Sequence, residues 1–130
     1  MSFNFSNCIG IELLEALYNL SAKLKDKYRE YSAEHIENII IPETFDFIYG
    51  NILEHEYDYE NTSMILANCK TFSKGLMMKI AEKLKPMPSG VILITTTQTL
   101  EDFDSDWQVF EKLRKLMSWG CANLYLHIKK

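Results

Sequence analysis

The run VILITTT, residues 91–97, constrains the fold of this chain more than any other stretch. It is apolar at consecutive positions and rich in β-branched residues, a combination that favours a strand. A strand with apolar side chains on both faces is typical of a parallel sheet that is covered on both sides. The run therefore predicts a buried strand in an α/β protein.

Strands and helices alternate along the chain before this run. Residues 7–12 and 63–68 are short apolar segments that predict strands, and each precedes a helical pattern. The first helix, predicted over 13–34, has an apolar stripe at spacings of three and four and a charged face that we expect to lie in solvent. The second helix is predicted over 72–85. This order of elements predicts an α/β layer. The apolar stripe of the first helix consists of Leu13, Leu14, Leu17, Leu20, Leu24, Tyr28 and Tyr31.

Four further segments are interpreted from their β-branched content and from the alternation of apolar and polar residues. Residues 37–41 are rich in isoleucine and stop at Pro42, which predicts a strand. Residues 44–49 fit a strand or a helix, and residues 107–117 fit alternation as well as a helical stripe. The stretch ANLYLHIKK, residues 122–130, alternates cleanly, so we predict that it pairs with 107–117 in a terminal antiparallel pair.

The composition is that of a soluble globular protein with one domain over residues 1–130. The chain has 130 residues, of which 47% are apolar, and this is enough to bury a core. No apolar stretch reaches about 18 residues, so no membrane span is predicted. The net charge of −4 argues against a nucleic-acid reader and is compatible with a basic protein substrate.

The cysteines predict neither a metal site nor a disulfide framework. Cys8, Cys69 and Cys121 are far apart, odd in number and without the spacing of zinc ligands. We expect reduced thiols that pack as small buried hydrophobes. Reduced thiols in turn predict a cytoplasmic or nuclear location.

Chemically distinctive residues follow three of the apolar segments, where α/β sheets bind ligands. Glu12 could accept hydrogen bonds from both hydroxyls of a ribose, or it could be a surface acid beside a helix start. Asn51 and Ile52 could read an adenine edge and cover its face. Asn68 could contact a substrate amine, or it could cap the next helix.

Five stretches occur in an order that resembles a known family. They are GIE (10–12), GNIL (50–53), TSMILANCKTF (62–72), GVILITTT (90–97) and SWG…LYLH (118–127). In this order they resemble the class I S-adenosylmethionine-dependent methyltransferases, and most closely the Dot1-like lysine methyltransferase domain. The resemblance implies a partial Rossmann-like sheet, mostly parallel, with a C-terminal antiparallel strand pair.

The resemblance also implies roles for individual residues. Asn68 would lie near the methyl donor and Phe72 would help to wall the pocket, so these two are the candidate catalytic residues. Glu12 would hold the ribose of S-adenosylmethionine, and Asn51 and Ile52 would stand at its adenine. The methyl acceptor would be a protein lysine, and no metal is required.

One part of the family pattern is absent from the sequence. The family's first strand carries a glycine-rich loop that wraps the cofactor, but the nine residues before Gly10 contain no glycine. In the family that strand lies between the second and fourth strands, which correspond to 7–12 and 63–69 here. The chain therefore resembles the C-terminal portion of a methyltransferase domain whose first strand is missing.

The missing strand leads to two expectations and one alternative. By itself the chain should bind S-adenosylmethionine weakly or not at all and should be inactive. Its open strand edges should let copies pair as a homo-oligomer. The alternative is a non-catalytic methyltransferase-like α/β module that acts in protein assembly. A nicotinamide dinucleotide-binding domain fits least, because the glycine fingerprint GxGxxG is absent.

Overall fold

The structure, a computed structural model, describes residues 5–35, 42, 44–56 and 58–130. The chain divides into two compact units, Met1–His55 and Glu56–Lys130. The strand predicted at 37–41 lies outside the described residues and stays a prediction. Within the described ranges, no helix is both long and apolar enough to cross a membrane.

The first unit is a parallel strand–helix–strand motif. Strand β1 (Asn7–Glu12) leads into helix α1 (Glu15–His35), and strand β2 (Thr44–Tyr49) pairs with β1 in parallel. The predicted first strand and first helix are confirmed, and the segment whose type the sequence left open is a strand. Parallel strands need a crossover connection, and α1 lies within the one that joins β1 to β2.

Gly10 allows the two strands of this unit to carry a cluster of aromatic rings. It lies opposite Phe47 in the parallel register, and a Cβ atom on Gly10 would come within 2.5 Å of the Phe47 ring. The Phe47 ring contacts the Phe45 ring, with 5.6 Å between their centroids. The missing side chain at Gly10 therefore makes room for the ring of its neighbour.

Helix α1 contacts β2 through a face that the sequence did not single out. Tyr18 packs against Tyr49 with 5.6 Å between ring centroids, and Lys25 Nζ lies 3.0 Å from Asp46 Oδ1. The members of the apolar stripe are 40–61% exposed. Within the stripe, the Tyr28 ring contacts Phe45, with 5.7 Å between ring centroids. The expectation that the whole charged face lies in solvent is wrong at Lys25, which belongs to the packing face.

The second unit is a four-stranded sheet with one helix. Its strands are β3 (Met64–Ala67), β4 (Ile92–Thr96), β5 (Trp107–Met117) and β6 (Gly120–Lys129), and helix α2 (Lys74–Lys83) connects β3 to β4. The strand order is β3-β4-β6-β5. Strands β3 and β4 are parallel, whereas β6 is antiparallel to both of its neighbours. The predicted C-terminal antiparallel pair is therefore confirmed.

The core of the second unit comes from helix α2, from strands β4, β5 and β6, and from the segments that connect them. Helix α2 buries Met77, Ile80 and Ala81, which the spacing of three and four places on one side of the helix. The sheet and its connections contribute several fully buried side chains, among them Leu93, Leu100, Trp107 and His127. Burying a large apolar side chain stabilises a fold by roughly 1.5–3 kcal/mol. This core therefore fixes the carboxyl ends of β3 and β4.

The sheet differs from the expected one in two respects. We predicted one mostly parallel sheet, but the structure has a separate parallel pair, β1-β2, and a mixed four-stranded sheet. Among the described residues, β1 pairs only with β2 and β3 pairs only with β4. Strands β1, β2, β3 and β5 each have one edge without a described neighbour.

Candidate functional site

The carboxyl ends of β3 and β4 lie side by side, because the two strands are parallel neighbours. Asn68 is the first residue after β3, and Thr96 is the last residue of β4. The Thr96 hydroxyl donates a hydrogen bond to Asn68 Oδ1 across 2.7 Å. The exposed side chain of Asn68 thus lies at the edge where α/β proteins bind ligands, and β4 orients it.

Residues 68–72 are called the Asn68 loop below, and one glutamine binds two of them. Gln98 Nε2 donates hydrogen bonds to the carbonyl oxygens of Cys69 and Phe72, both at 2.8 Å. Within the loop, the Phe72 amide donates to the Cys69 carbonyl at 3.0 Å. Both amide hydrogens of Gln98 are used in this way. The loop therefore cannot leave the end of β4 without breaking both bonds.

The main chain turns sharply between Thr96 and Gln98. Thr97 has a φ of 70°, and it is the one non-glycine residue with positive φ in the described part of the chain. The Gln98 amide donates to the Thr96 carbonyl at 2.8 Å, which is the hydrogen bond of a γ-turn. Positive φ is unfavourable for a β-branched residue. Backbone strain is therefore held directly beside the Asn68 loop.

An aromatic ring and a cation lie at the same edge. Lys70 Nζ, in the Asn68 loop, is 5.8 Å from the ring centroid of Trp119 in the turn between β5 and β6. The Trp119 ring is about half exposed, and Phe72 is half-buried. This edge therefore combines an amide, an ammonium group and two aromatic rings.

The start of α2 decides between the two interpretations of Asn68. The N-cap of α2 is Ser73, whose Oγ accepts a hydrogen bond from the Leu76 amide at 3.2 Å. Asn68 lies five residues earlier and bonds to Thr96 instead. The interpretation of Asn68 as a helix cap is therefore wrong, and its side chain belongs to the edge of the sheet.

Cys69 is the buried member of the three cysteines. Its side chain is 1% exposed, and burial raises the pKa of its thiol to about 11. A thiol with so high a pKa is almost wholly protonated at pH 7, so Cys69 serves as packing. Cys8 and Cys121 are exposed, so the expectation of burial is wrong for them. No group of three potential metal ligands occurs among the residues that the structure describes.

His127 is a buried residue for which sequence reasoning had no role. Its Nε2 accepts a hydrogen bond from the Leu100 amide at 3.0 Å, so Nδ1 must carry the proton and donate to the Leu93 carbonyl at 3.1 Å. Thr99 Oγ1 lies 3.1 Å from Nε2. Burial lowers the pKa of the imidazole. Neutral His127 therefore anchors the segment that follows the γ-turn.

In the first unit, Glu12 and Asn51 lie close together at the carboxyl edge of β1 and β2. The Gly50 amide, next to Asn51, donates to the Glu12 carbonyl at 3.0 Å. Glu12 Oε1 accepts from the Leu14 amide at 2.8 Å, as an acid beside a helix start does. Glu12 Oε2 has no hydrogen-bond partner in the described ranges, so one carboxylate oxygen remains for a ligand.

Asn51 uses both ends of its side-chain amide within its own turn. Its Oδ1 accepts from the Leu53 amide at 3.0 Å, and its Nδ2 donates to Glu54 Oε1 at 3.1 Å. This Asx turn gives Asn51 a structural role. Ile52 is half-buried beside it. Contacts of Asn51 and Ile52 with an adenine ring stay predictions, as does a single cleft that would join Glu12 and Asn68.

No protein-family model matches the chain, and no curated protein matches it in sequence. A solved structure matches in fold: the crystal structure of a candidate tRNA (m1A22) methyltransferase from Streptococcus pneumoniae, with a TM-score of 0.62 and 14% identity. The match covers 95% of this chain. In fold, the chain resembles part of this solved structure.

The same comparison sets the limits of the likeness. The chain spans about half of the solved structure, 53% of its length. At 14% identity the likeness concerns the fold alone. It gives no support to the narrower resemblance to the Dot1-like domain.

Sequence reasoning singles out Asn68 and Phe72 as candidates but misses the residues that fix them. Thr96 and Gln98 belong to the polar run TTTQT, residues 95–99, which begins within the most apolar strand and extends beyond its end. A polar run at the carboxyl end of a buried strand is the signal that the sequence offers. The pairing with the Asn68 loop depends on tertiary structure.

Proposed function

We propose that this chain is the carboxyl-terminal part of an S-adenosylmethionine-dependent methyltransferase domain. The observation that carries the proposal is the fold match, in which 95% of the chain follows a methyltransferase structure. The Asn68 loop supports it, because a fixed polar loop stands at the ligand-binding edge of β3 and β4.

Glu12 is the residue best suited to hold the cofactor. Its Oε2 has no described hydrogen-bond partner, and its Oε1 is fixed by the Leu14 amide, so the carboxylate is oriented and half available. A ribose hydroxyl would donate to Oε2. The Asx turn uses one hydrogen of Asn51 Nδ2 and one lone pair of its Oδ1. Only the second hydrogen and the second lone pair would be available to bind an adenine edge.

Asn68 and Phe72 would act by position. Bound S-adenosylmethionine supplies an activated methyl group, and its transfer depends on alignment and on a desolvated acceptor. The neutral amide of Asn68 can contact the acceptor without adding charge, and the Phe72 ring excludes water. Because Cys69 is buried and protonated, its thiol does not act as a covalent nucleophile at this edge.

The acceptor that we favour is a lysine in a basic protein. The support is the resemblance of TSMILANCKTF, residues 62–72, to the Dot1-like domain. A net charge of −4 also suits a basic partner better than a polyanion. The prediction for this chain is methylation of a lysine-rich protein once the rest of the domain is present.

An RNA base is the second candidate acceptor. The matched solved structure is described as a candidate tRNA methyltransferase. The Lys70–Trp119 pair favours this candidate, because a cation and an exposed ring can bind a phosphate and stack on a base. RNA binding would weaken steeply with added salt, which distinguishes it from recognition of a lysine side chain by neutral groups.

A non-catalytic assembly module remains the alternative function. It is favoured by the structural use of the Asn51 amide and by the strand edges without described neighbours, among them those of β1 and β3. Such a module would keep the fold without binding the cofactor. The test below separates it from the methyltransferase proposal.

The deciding experiment is a titration of the isotope-labelled chain with S-adenosylhomocysteine, followed through backbone amide NMR signals. We expect binding in the millimolar range, about −4 kcal/mol, because the glycine-rich loop is absent from the sequence. Signals of Glu12, Gly50 and the Asn68 loop should shift with one common dissociation constant.

Matched acid variants sharpen this titration. Glu12→Gln should weaken binding several-fold, whereas Glu15→Gln, at the exposed start of α1, should leave it unchanged. Binding that shifts other signals but not these would refute the methyltransferase proposal, and no binding at about 10 mM ligand would favour the assembly module. Low-micromolar affinity would refute the expectation of weak binding.

A further inference from the structure

We propose that Gln98 is a positioning residue of the candidate site, which clamps the Asn68 loop to the end of β4. The proposal rests on the proposed function only in treating the Asn68 loop as part of a cofactor and substrate site. The clamp itself rests on hydrogen bonds within the second unit. It predicts that the place of Phe72 depends on a residue 26 positions away in sequence.

The chemistry of the clamp suits glutamine. The carbonyl oxygens of Cys69 and Phe72 are two acceptors 2.8 Å from one nitrogen, and the Gln98 amide offers two hydrogens on that nitrogen. A glutamate of the same length has no donor when it is ionised, and a methionine of similar length has none at any pH. The contact is therefore specific to the amide.

The backbone around Gln98 is fixed on both sides, which keeps its side chain aimed at the loop. Before it, the Thr97 amide donates to the Asn123 carbonyl of β6 at 2.8 Å. The carbonyl of Gln98 accepts a hydrogen bond from the Thr95 hydroxyl. The γ-turn at Thr97 lies between these anchors. A strained turn held in this way by β4 and β6 directs Gln98 back toward the end of β3.

Two different residues hold the two ends of the Asn68 loop. Thr96 holds Asn68, and Gln98 holds Cys69 and Phe72. Removing the Gln98 amide should therefore release Phe72 and Lys70 while Asn68 stays near Thr96. A merely structural role would instead release the whole loop together with the core.

The first test needs no substitution. Hydrogen exchange of the side-chain amides of the unmodified chain compares Gln98 with Gln108, an exposed residue of β5. We expect the Gln98 Nε2 hydrogens to exchange at least roughly tenfold more slowly, because both are bonded to carbonyls. Equal exchange rates for the two glutamines would overturn the proposal.

The second test uses substitution and pH. In Gln98→Glu, an ionised carboxylate would face two carbonyls, and the protonated acid could restore one hydrogen bond. The amide signals of Lys70 and Phe72 in this variant should therefore differ at pH 8 from those of the unmodified chain and approach them near pH 4, below the ordinary glutamate pKa of about 4.3. Gln98→Met should show the released loop at both pH values, and Gln108→Glu controls for the added charge.

The outcomes separate the clamp from the proposed function. If Asn68 and Phe72 signals move together with the core in Gln98→Met, or if Gln98→Glu shows no more pH dependence than Gln108→Glu, the positioning role is wrong. Both tests are made without ligand. The cofactor titration can therefore contradict the proposed function while the tests of Gln98 support the clamp. The tests of Gln98 can likewise contradict the clamp while the titration supports the proposed function.

Discussion

Thr97 has a backbone conformation that its own side chain disfavours. Residues in such conformations cost about 1–3 kcal/mol and persist where the surrounding bonds over-determine them. Here the surrounding bonds are the amide of Thr97 to Asn123 and the amide of Gln98 to Thr96, each 2.8 Å long. The strain lies between the most apolar strand and the glutamine that holds the Asn68 loop.

Replacing Thr97 with glycine should stabilise the chain by up to about 1 kcal/mol, because glycine accepts positive φ without strain, although it loses more entropy on folding. Urea unfolding measures the change. Thr71→Gly is the matched control, since Thr71 is exposed and is not among the positive-φ residues. It should destabilise the chain. A loss of stability in Thr97→Gly as large as in the control would show that the turn is unstrained.

His127 should make the stability of the chain fall in mild acid. Burial lowers the pKa of its imidazole in the folded state, so near and below its ordinary pKa of 6.5 the unfolded state binds more protons. The free energy of unfolding should therefore decrease as the pH falls below about 6.5 toward 5. Urea unfolding at pH 7.5, 6.5 and 5.5 measures it.

Removal of the imidazole tests the assignment of this pH dependence to His127. His127→Gln should be less stable at pH 7.5, because a neutral buried network is lost, but its stability should change less between pH 7.5 and 5.5. Identical pH profiles for the variant and the unmodified chain would contradict the assignment to His127.

At the scale of elements, the packing of α1 gives a direct test. Tyr18 contacts Tyr49 of β2, whereas Leu17 is 46% exposed. Tyr18→Ala should therefore destabilise the chain by about 1–3 kcal/mol, and Leu17→Ala by no more than about 0.5 kcal/mol. Urea unfolding followed by helical circular dichroism measures both changes. A larger loss in Leu17→Ala would show that the leucine stripe is the packing face.

The elements themselves could be predicted from local pattern, and their contacts could not. Apolar runs predicted β1, β3 and β4 to within a residue or two, because a buried strand must be apolar. Amphipathic spacing predicted that α1 is a helix, but it does not say which side of the helix packs against β2. The observed packing side is defined by the ring contact of Tyr18 and the ion pair of Lys25. The Gln98 clamp joins segments 26 and 29 residues apart, which no local pattern encodes.

At the scale of the whole molecule, the open edge of β3 should make the chain associate. Leu66 on this edge is 68% exposed, and parallel strands normally have covered faces. We propose that copies pair through such edges, so that the average mass in light scattering rises with concentration. Leu66→Lys should reduce this rise. Met78→Lys, at a 61% exposed position of helix α2, is the control and should not.

A constant monomer mass over the whole concentration range would contradict pairing through β3. An equal effect of both lysine substitutions would assign the association to general exposure of apolar side chains. A specific effect of Leu66→Lys would identify β3 as the edge through which copies pair.

The position of β6 determines when the second unit can form during synthesis. A ribosome makes β4 and β5 first, yet in the finished sheet these two strands are separated by β6 and do not pair with each other. The Gly90 amide, just before β4, donates a hydrogen bond to the carbonyl of Lys129 at the end of β6, and this bond cannot form until Lys129 has been synthesised. Until Gly120–Lys129 has emerged, β4 lacks one neighbour and β5 lacks the strand with which it pairs. The apolar strands of the nascent chain thus stay exposed to chaperones and to other chains, and the sheet closes in one late step.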